Sequence, residues 1–89
     1  MATKFIPTIA KADYEAIRRI IRRHLPDSYD KWLYLSTKES ADNISKGGIS
    51  EPVEVNADEF ARFLKATRAD ANLHSLYNYA YEKGMGHKY

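Results

Sequence analysis

Cysteine is absent from the 89 residues. That excludes disulfides, thiolate nucleophiles and Cys-ligated metals, and it makes folding independent of the redox state of the surroundings. No apolar run approaches the ~20 residues of a membrane span. The N-terminus, Met1-Ala2-Thr3-Lys4-Phe5-Ile6-Pro7, has no run long enough for a secretory signal core. A cytoplasmic chain without membrane contact is therefore expected. Asn43-Ile44-Ser45 matches the glycosylation acceptor pattern, but without an export signal it reads as chance. No internal repeat is visible.

Catalytic signatures are missing as well. There is no Gly-x-Ser-x-Gly, so no strained nucleophile turn is indicated. Ser45-Lys46-Gly47-Gly48 has glycine and lysine in the wrong order for a P-loop and reads as a flexible turn. His24, His74 and His87 are scattered, and no pair shares a helix face with a carboxylate at metal-ligand spacing. Asp58 and Glu59 are explained by a helix start, and Glu51 and Glu54 by solvation. No enzyme, metal or cofactor is expected.

What is present describes a small folded unit. Hydrophobic residues make up 44% and charged residues 29%, too apolar for a disordered tail. The length allows one domain with a small core and a net stability of about 5 to 9 kcal/mol. The formal net charge is +2, unevenly placed: residues 1–25 carry six Lys/Arg against two Asp/Glu, and residues 26–89 eight against ten.

Periodicity predicts four helices and two short strands, in the order βααβαα: a mainly α, single small four-helix domain with a minor two-strand element. Residues 1–9 read as an extended N-terminal segment, 10–84 as the helical domain and 85–89 as a mobile tail. Ala10, Tyr14, Ile17, Ile21 and Leu25 recur at helical spacing over residues 10–24, with Arg22, Arg23 and His24 in the last turn, complementing the macrodipole. Pro26 stops that helix. Asp27 or Ser28 caps a second one, with a face of Tyr29, Trp32, Leu33, Ser36, Ser40 and Ile44; a strand over residues 32–37 is the competing reading. Gly47-Gly48 ends it. Residues 49–55 alternate as a strand and need a partner, either residues 3–9 or the same pairing across a dimer. Asn56 caps the third helix in a capping-box spacing with Glu59. Asp70 caps a fourth, which buries Leu73, Leu76, Tyr77 and Ala80 and ends at Gly84 as the C′ residue. The expected core is Ile17, Ile21, Trp32, Leu33, Ile44, Val53, Val55, Phe60, Phe63, Leu64, Leu73, Leu76, Tyr77 and Ala80.

Two surface features bear on function. Arg18, Arg19, Arg22 and Arg23 would occupy an arc of roughly 140° on one continuous helix. Guanidinium forks bond phosphate oxygens in pairs, so such a face suits a nucleic-acid backbone. A solvated face, with Glu15 pairing Arg18 or Arg19, accounts for the same pattern. A helix–turn–helix over 57–83 lacks cations on its second helix before Lys83, so it reads as a packing hairpin.

Seven tyrosines are the second feature. Tyr77, Tyr79 and Tyr81 cannot share one helix face, so Tyr79 and Tyr81 are expected outside the core, and Tyr34 lies off the apolar side of its helix. A tyrosine joins a large apolar area to a polar tip and suits an interface, although a partly buried rim explains it too. The reading is a non-enzymatic interaction domain that binds another protein or itself as a homodimer, through Tyr34, Tyr79 and Tyr81. The alternative is nucleic-acid binding through the four arginines.

Overall fold

The computed structural model describes residues 3–86. The chain runs β1 (Thr3–Ile9), α1 (Lys11–Ile21), α2 (Tyr29–Ser45), β2 (Ile49–Val55), α3 (Ala57–Thr67) and α4 (Leu73–Gly84). This is the expected mainly α domain with a two-strand element. The strands pair within the chain, and they are parallel, from Thr3 opposite Ile49 to Ile9 opposite Val55. A parallel pair needs a long crossover, here supplied by α1 and α2.

Pro7 and Pro52 sit inside the strands, yet the register passes both without interruption. In a parallel ladder alternate residues direct their backbone groups toward the partner strand. Each proline therefore turns its nitrogen outward, the position where a missing N–H costs nothing. Both outer edges are thus blunted against a further strand.

The register exposes an order that the residue identities hide. β1, α1 and the left-handed residue after it, Arg22 at φ 64°, recur 46 positions later as β2, α3 and Arg68 at φ 54°. Each half is a strand, a one-residue joint, an eleven-residue helix and a second helix. Tyr14 stands where Phe60 does, and Ile17 where Phe63 does; all four are buried. The element order βαα therefore occurs twice, without a residue repeat in the sequence, and the two second helices, α2 and α4, go to opposite faces of the sheet.

The two faces of the sheet are filled differently. Phe5 packs edge-on to Tyr81 with ring centroids 5.8 Å apart. A Cβ on Gly84 would run into the Phe5 ring, so glycine is what lets α4 approach there. Phe5, Pro7, Ile9, Val53 and Val55 therefore face α4. Lys4, Ile6 and Thr8, with Ser50 and Pro52, face α2. α1 and α3 pack on each other, and the core gathers Tyr14, Ile17 and Ile21 with Phe60, Phe63, Leu76, Tyr79 and Trp32.

Several expectations need correction. α1 ends at Ile21, not at residue 24: Arg22 and His24 both take positive φ, and Arg22 N–H closes on Arg18 O at 2.9 Å. The turn carries Leu25 back onto the core and lets Tyr14 OH donate to Pro26 O. Leu33 and Ile44 are exposed, and Leu64, Leu73 and Tyr77 only half-buried, whereas Ile6, Ile9, Tyr14, Ala57 and Tyr79 belong to the core. Of the expected N-terminal segment, residues 3–9 form a strand that is buried at Ile6, Pro7 and Ile9; residues 1–2 lie outside the described residues. Asn72, not Asp70, caps α4, accepting from Ser75 N at 2.8 Å; the Asp70 carbonyl takes the Ser75 hydroxyl. The residue past α4 with left-handed backbone is Gly86, at φ 95°, while Gly84 is the last helical residue. Met85 and Gly86 remain bonded to the last turn of α4; the rest of the expected tail, residues 87–89, lies outside the described residues.

Candidate functional site

α2 is held to the sheet along one side only. Ser28 caps it, the side-chain oxygen accepting from Lys31 N at 3.4 Å. Tyr29 OH donates to Ile9 O at 2.7 Å. Glu39 receives Lys4 Nζ at 2.8 Å and Tyr77 OH at 2.5 Å, joining α2 to β1 and to α4. Burial, and then the bond to Glu39 and its charge, push the Tyr77 hydroxyl well above the ordinary tyrosine range. Asn43 Nδ2 donates to Ile49 O and to Ser50 Oγ, each at 3.0 Å, and Ser50 Oγ donates to Ser40 O at 3.1 Å. The glycosylation-like Asn43 therefore has a structural role: it latches the end of α2 to the start of β2.

The flank of α2 next to that side is exposed and largely apolar, while the far side of the helix carries the exposed charges Lys31, Lys38 and Asp42. Trp32, Leu33, Tyr34 and Leu35 step around roughly 300° of the helix, so no single core contact buries all four. Only Trp32 is buried; Leu33 is 43% exposed, Tyr34 66% and Leu35 51%. Farther along, Ile44 is 58% exposed. Leu33, Thr37, Ser40, Ala41 and Ile44 share one flank, within roughly 100° of each other. Between that flank and Ile6, Thr8 and Pro52 of the sheet lies a groove of about 440 Å³. Not one residue lining it is charged. The indole Nε1 of Trp32, the single tryptophan, is buried beside it without a hydrogen-bond partner. A second hollow of about 370 Å³ lies between Pro26 and Tyr34, with Leu35 in its wall.

The interface candidates separate. Tyr34 and Tyr81 are at the surface, but on helices that cover opposite faces of the sheet. Tyr79 is 2% exposed and packs on Phe60 and Phe63, so its expected exposure is overturned. It occupies the core because α4 turns Tyr79 and Ala80 inward, leaving Tyr77 half-buried. Its hydroxyl donates to Glu59 Oε2 at 3.1 Å, and Lys83 Nζ lies 3.6 Å from the same oxygen. Burial, then the Glu59 charge, push the Tyr79 pKa up to about 12. Glu59 thus ties α3 to α4 instead of completing a capping box; Asn56 Oδ1 caps alone, accepting from Asp58 N at 2.9 Å.

The basic arc is also broken. Arg18 and Arg19 remain on α1, and Arg18 Nη1 lies 3.7 Å from Glu15 Oε2. Arg22 is the left-handed cap and Arg23 lies in the turn, so four guanidinium groups do not line up along one helix. Among the described residues no group of three or more His, Asp or Glu could hold a metal ion, and no helix is long and apolar enough to cross a membrane. No family model matches the sequence, and neither a curated protein nor a solved structure matches it.

The exposed α2 flank carried a signal in the sequence. Four consecutive apolar residues on a helix that packs on a two-stranded sheet exceed what one side can bury. Assigning Leu33 and Ile44 to the core missed it.

Proposed function

We propose that this chain is a non-enzymatic protein-interaction domain whose binding surface is the outer flank of α2 with the groove beside it. The supporting observation is the run Leu33-Tyr34-Leu35, exposed on three sides of one helical turn and continued by Ile44 along an uncharged groove. Contiguous apolar surface of this kind is costly to leave in water and marks contact sites. Tyr34 at its border has the mixed character that interfaces favour. Strand addition is disfavoured as the mode, because both sheet edges carry an outward proline. Nucleic-acid binding loses support with the broken arginine arc.

The test is photo-crosslinking in cells with benzoylphenylalanine placed at Tyr34 or at Arg19. Light-dependent protein adducts from position 34 and none from position 19 are expected. No adduct at 34, or nucleic-acid adducts from 19, would overturn the proposal.

A further inference from the structure

We infer that the occupant of the α2 groove is a second copy of this chain, with the two α2 helices side by side and antiparallel about a two-fold axis. The inference rests on α2 being the interaction surface and adds the partner and the register.

The stripe that borders the groove is self-complementary. Leu33, Thr37, Ser40 and Ile44 are spaced four, three and four residues apart, the spacing of a helix–helix seam. The order of sizes, large, small, small, large, reads the same in both directions. A two-fold contact uses the same patch on both partners. Antiparallel pairing therefore sets Leu33 against Ile44 of the second copy and Thr37 against its Ser40. The small residues fall at the crossing, where the helices come closest.

The repeated element order shows what is missing. On one face of the sheet α4 closes its contact, with Tyr81 edge-on to Phe5 and Gly84 against the same ring. On the other face α2 stands to one side and leaves Ile6, Thr8 and Pro52 as the floor of the groove. A helix packed along the exposed flank of α2 covers the mouth of that groove, and the second copy offers one of equal length. The charged residues Lys31, Lys38, Glu39 and Asp42 lie off the stripe; Asp30 falls on its line, one turn before Leu33 and opposite Gly47 of the second copy, at the end of the seam where the carboxylate stays in water.

Area sets the strength. Seventeen residues make α2 about 25 Å long, at about 1.5 Å per residue. A strip about 20 Å wide, helix flank plus the mouth of the groove, gives about 500 Å² per copy and about 1,000 Å² in total, the lower limit for a specific interface. The dimer should form at micromolar to millimolar concentration, not at nanomolar.

The test combines sedimentation with crosslinking on the full chain. A monomer–dimer equilibrium between about 10 µM and 1 mM is expected, with the Trp32 emission shifting as the dimer forms. Leu33→Asp and Ile44→Asp should each weaken association at least about tenfold while the circular dichroism stays native. If either fails to fold, cysteine variants decide, because the natural chain has no thiol. Mixed Leu33→Cys and Ile44→Cys chains should oxidise to a heterodisulfide. Leu33→Cys alone should not, since eleven residues at about 1.5 Å separate the two positions by about 16 Å in that register. A monomer at 1 mM, or equal crosslinking of Leu33→Cys with itself, overturns the inference. A monomer that still gives position-34 adducts with other proteins overturns the second copy alone; loss of those adducts as well overturns the interaction reading. A Trp32 shift on adding a fatty acid at unchanged monomer mass would assign the groove to a small apolar ligand and overturn the inference too.

Discussion

Phe63→Ala and Leu33→Ala remove similar side chains from helices, but the fold assigns them different costs. Phe63 is 4% exposed, with its ring centroid 5.2 Å from that of Tyr79 and 6.4 Å from that of Phe60. Truncation leaves a cavity between two rings that cannot close over it, a loss of about 3 to 5 kcal/mol. Leu33 is 43% exposed in the chain alone. Complete burial of a leucine contributes about 1.5 to 3 kcal/mol, so little more than half of that, about 1 kcal/mol, is at stake. No cavity forms, and alanine is the better helix former. For a domain of this size each kcal/mol moves the melting temperature by about 4 to 8 °C. Thermal melts at about 10 µM, the low end of the expected dimerisation range where monomer dominates, should fall by at least about 12 °C for Phe63→Ala and by less than about 10 °C for Leu33→Ala. Arg19→Ala, an exposed side chain, serves as the control and should stay within about 0.5 kcal/mol of the parent. If Leu33→Ala costs as much as Phe63→Ala, the flank of α2 is packed within the chain, and the open groove and all that was built on it are wrong. Equal melts of Phe63→Ala and Arg19→Ala would sink the core assignment itself.

Other outcomes follow from the caps, the titrations and the arginines. Asn72→Ala should cost about 1 kcal/mol in chemical denaturation, and Asp70→Ala, whose backbone carbonyl is the group used, less than half of that; the reverse order would restore Asp70 as the cap. Tyr79 holds its proton up to about pH 12 in the folded chain, whereas the unfolded chain releases it near the ordinary value of 10. The contribution is therefore complete below pH 10 and is lost as pH rises toward 12. The urea midpoint should decline over that window, and less steeply in Tyr79→Phe; parallel declines would remove Tyr79 as a cause. Gly84→Ala should lower the melting temperature, because the added methyl meets the Phe5 ring, and combining it with Phe5→Ala should recover part of the loss. Fluorescence anisotropy with mixed-sequence RNA across salt concentrations should give no micromolar binding; a log–log slope of about −3 or steeper would mean that three or four phosphates are contacted.

Local rules made the element order readable. Asn56 before α3 and the Gly47-Gly48 turn mark boundaries through backbone geometry, which depends on a few neighbours, whereas α1 ends at the left-handed Arg22, ahead of the proline expected to stop it. The choice of helix over strand at residues 32–37 held because no turn signal interrupts the chain before Gly47. Errors arose where distant parts of the chain decide. Tyr79 and Tyr77 differ by two positions on one helix, and only the direction of the α3 contact selects which ring is buried. Asp70 and Asn72 are both good caps, and the tie is broken by a bond from Ser75 to the Asp70 backbone that no side-chain preference encodes.

The two largest omissions share a physical cause. The repeated βαα order leaves little trace because packing constrains volume and polarity more than identity: Tyr14 and Phe60 fill equivalent sites, as do Ile17 and Phe63. Periodicity reports that a helix has an apolar side, not whether another element lies against it. α1 and α3 find each other, and α4 closes on its face of the sheet with Gly84 to admit Phe5. α2 has the same kind of stripe, interrupted by Thr37, Ser40 and Ala41, and none of the described residues covers it. Sequence reasoning counted that stripe as core. That is where Leu33 and Ile44 would stand once a second helix is present, so the misassignment and the dimer have the same origin in the residues. If association buries Leu33, then Leu33→Ala should be more destabilising at 1 mM than at 10 µM, because binding adds to apparent stability by mass action. A cost independent of concentration would separate the two and leave the stripe as surface.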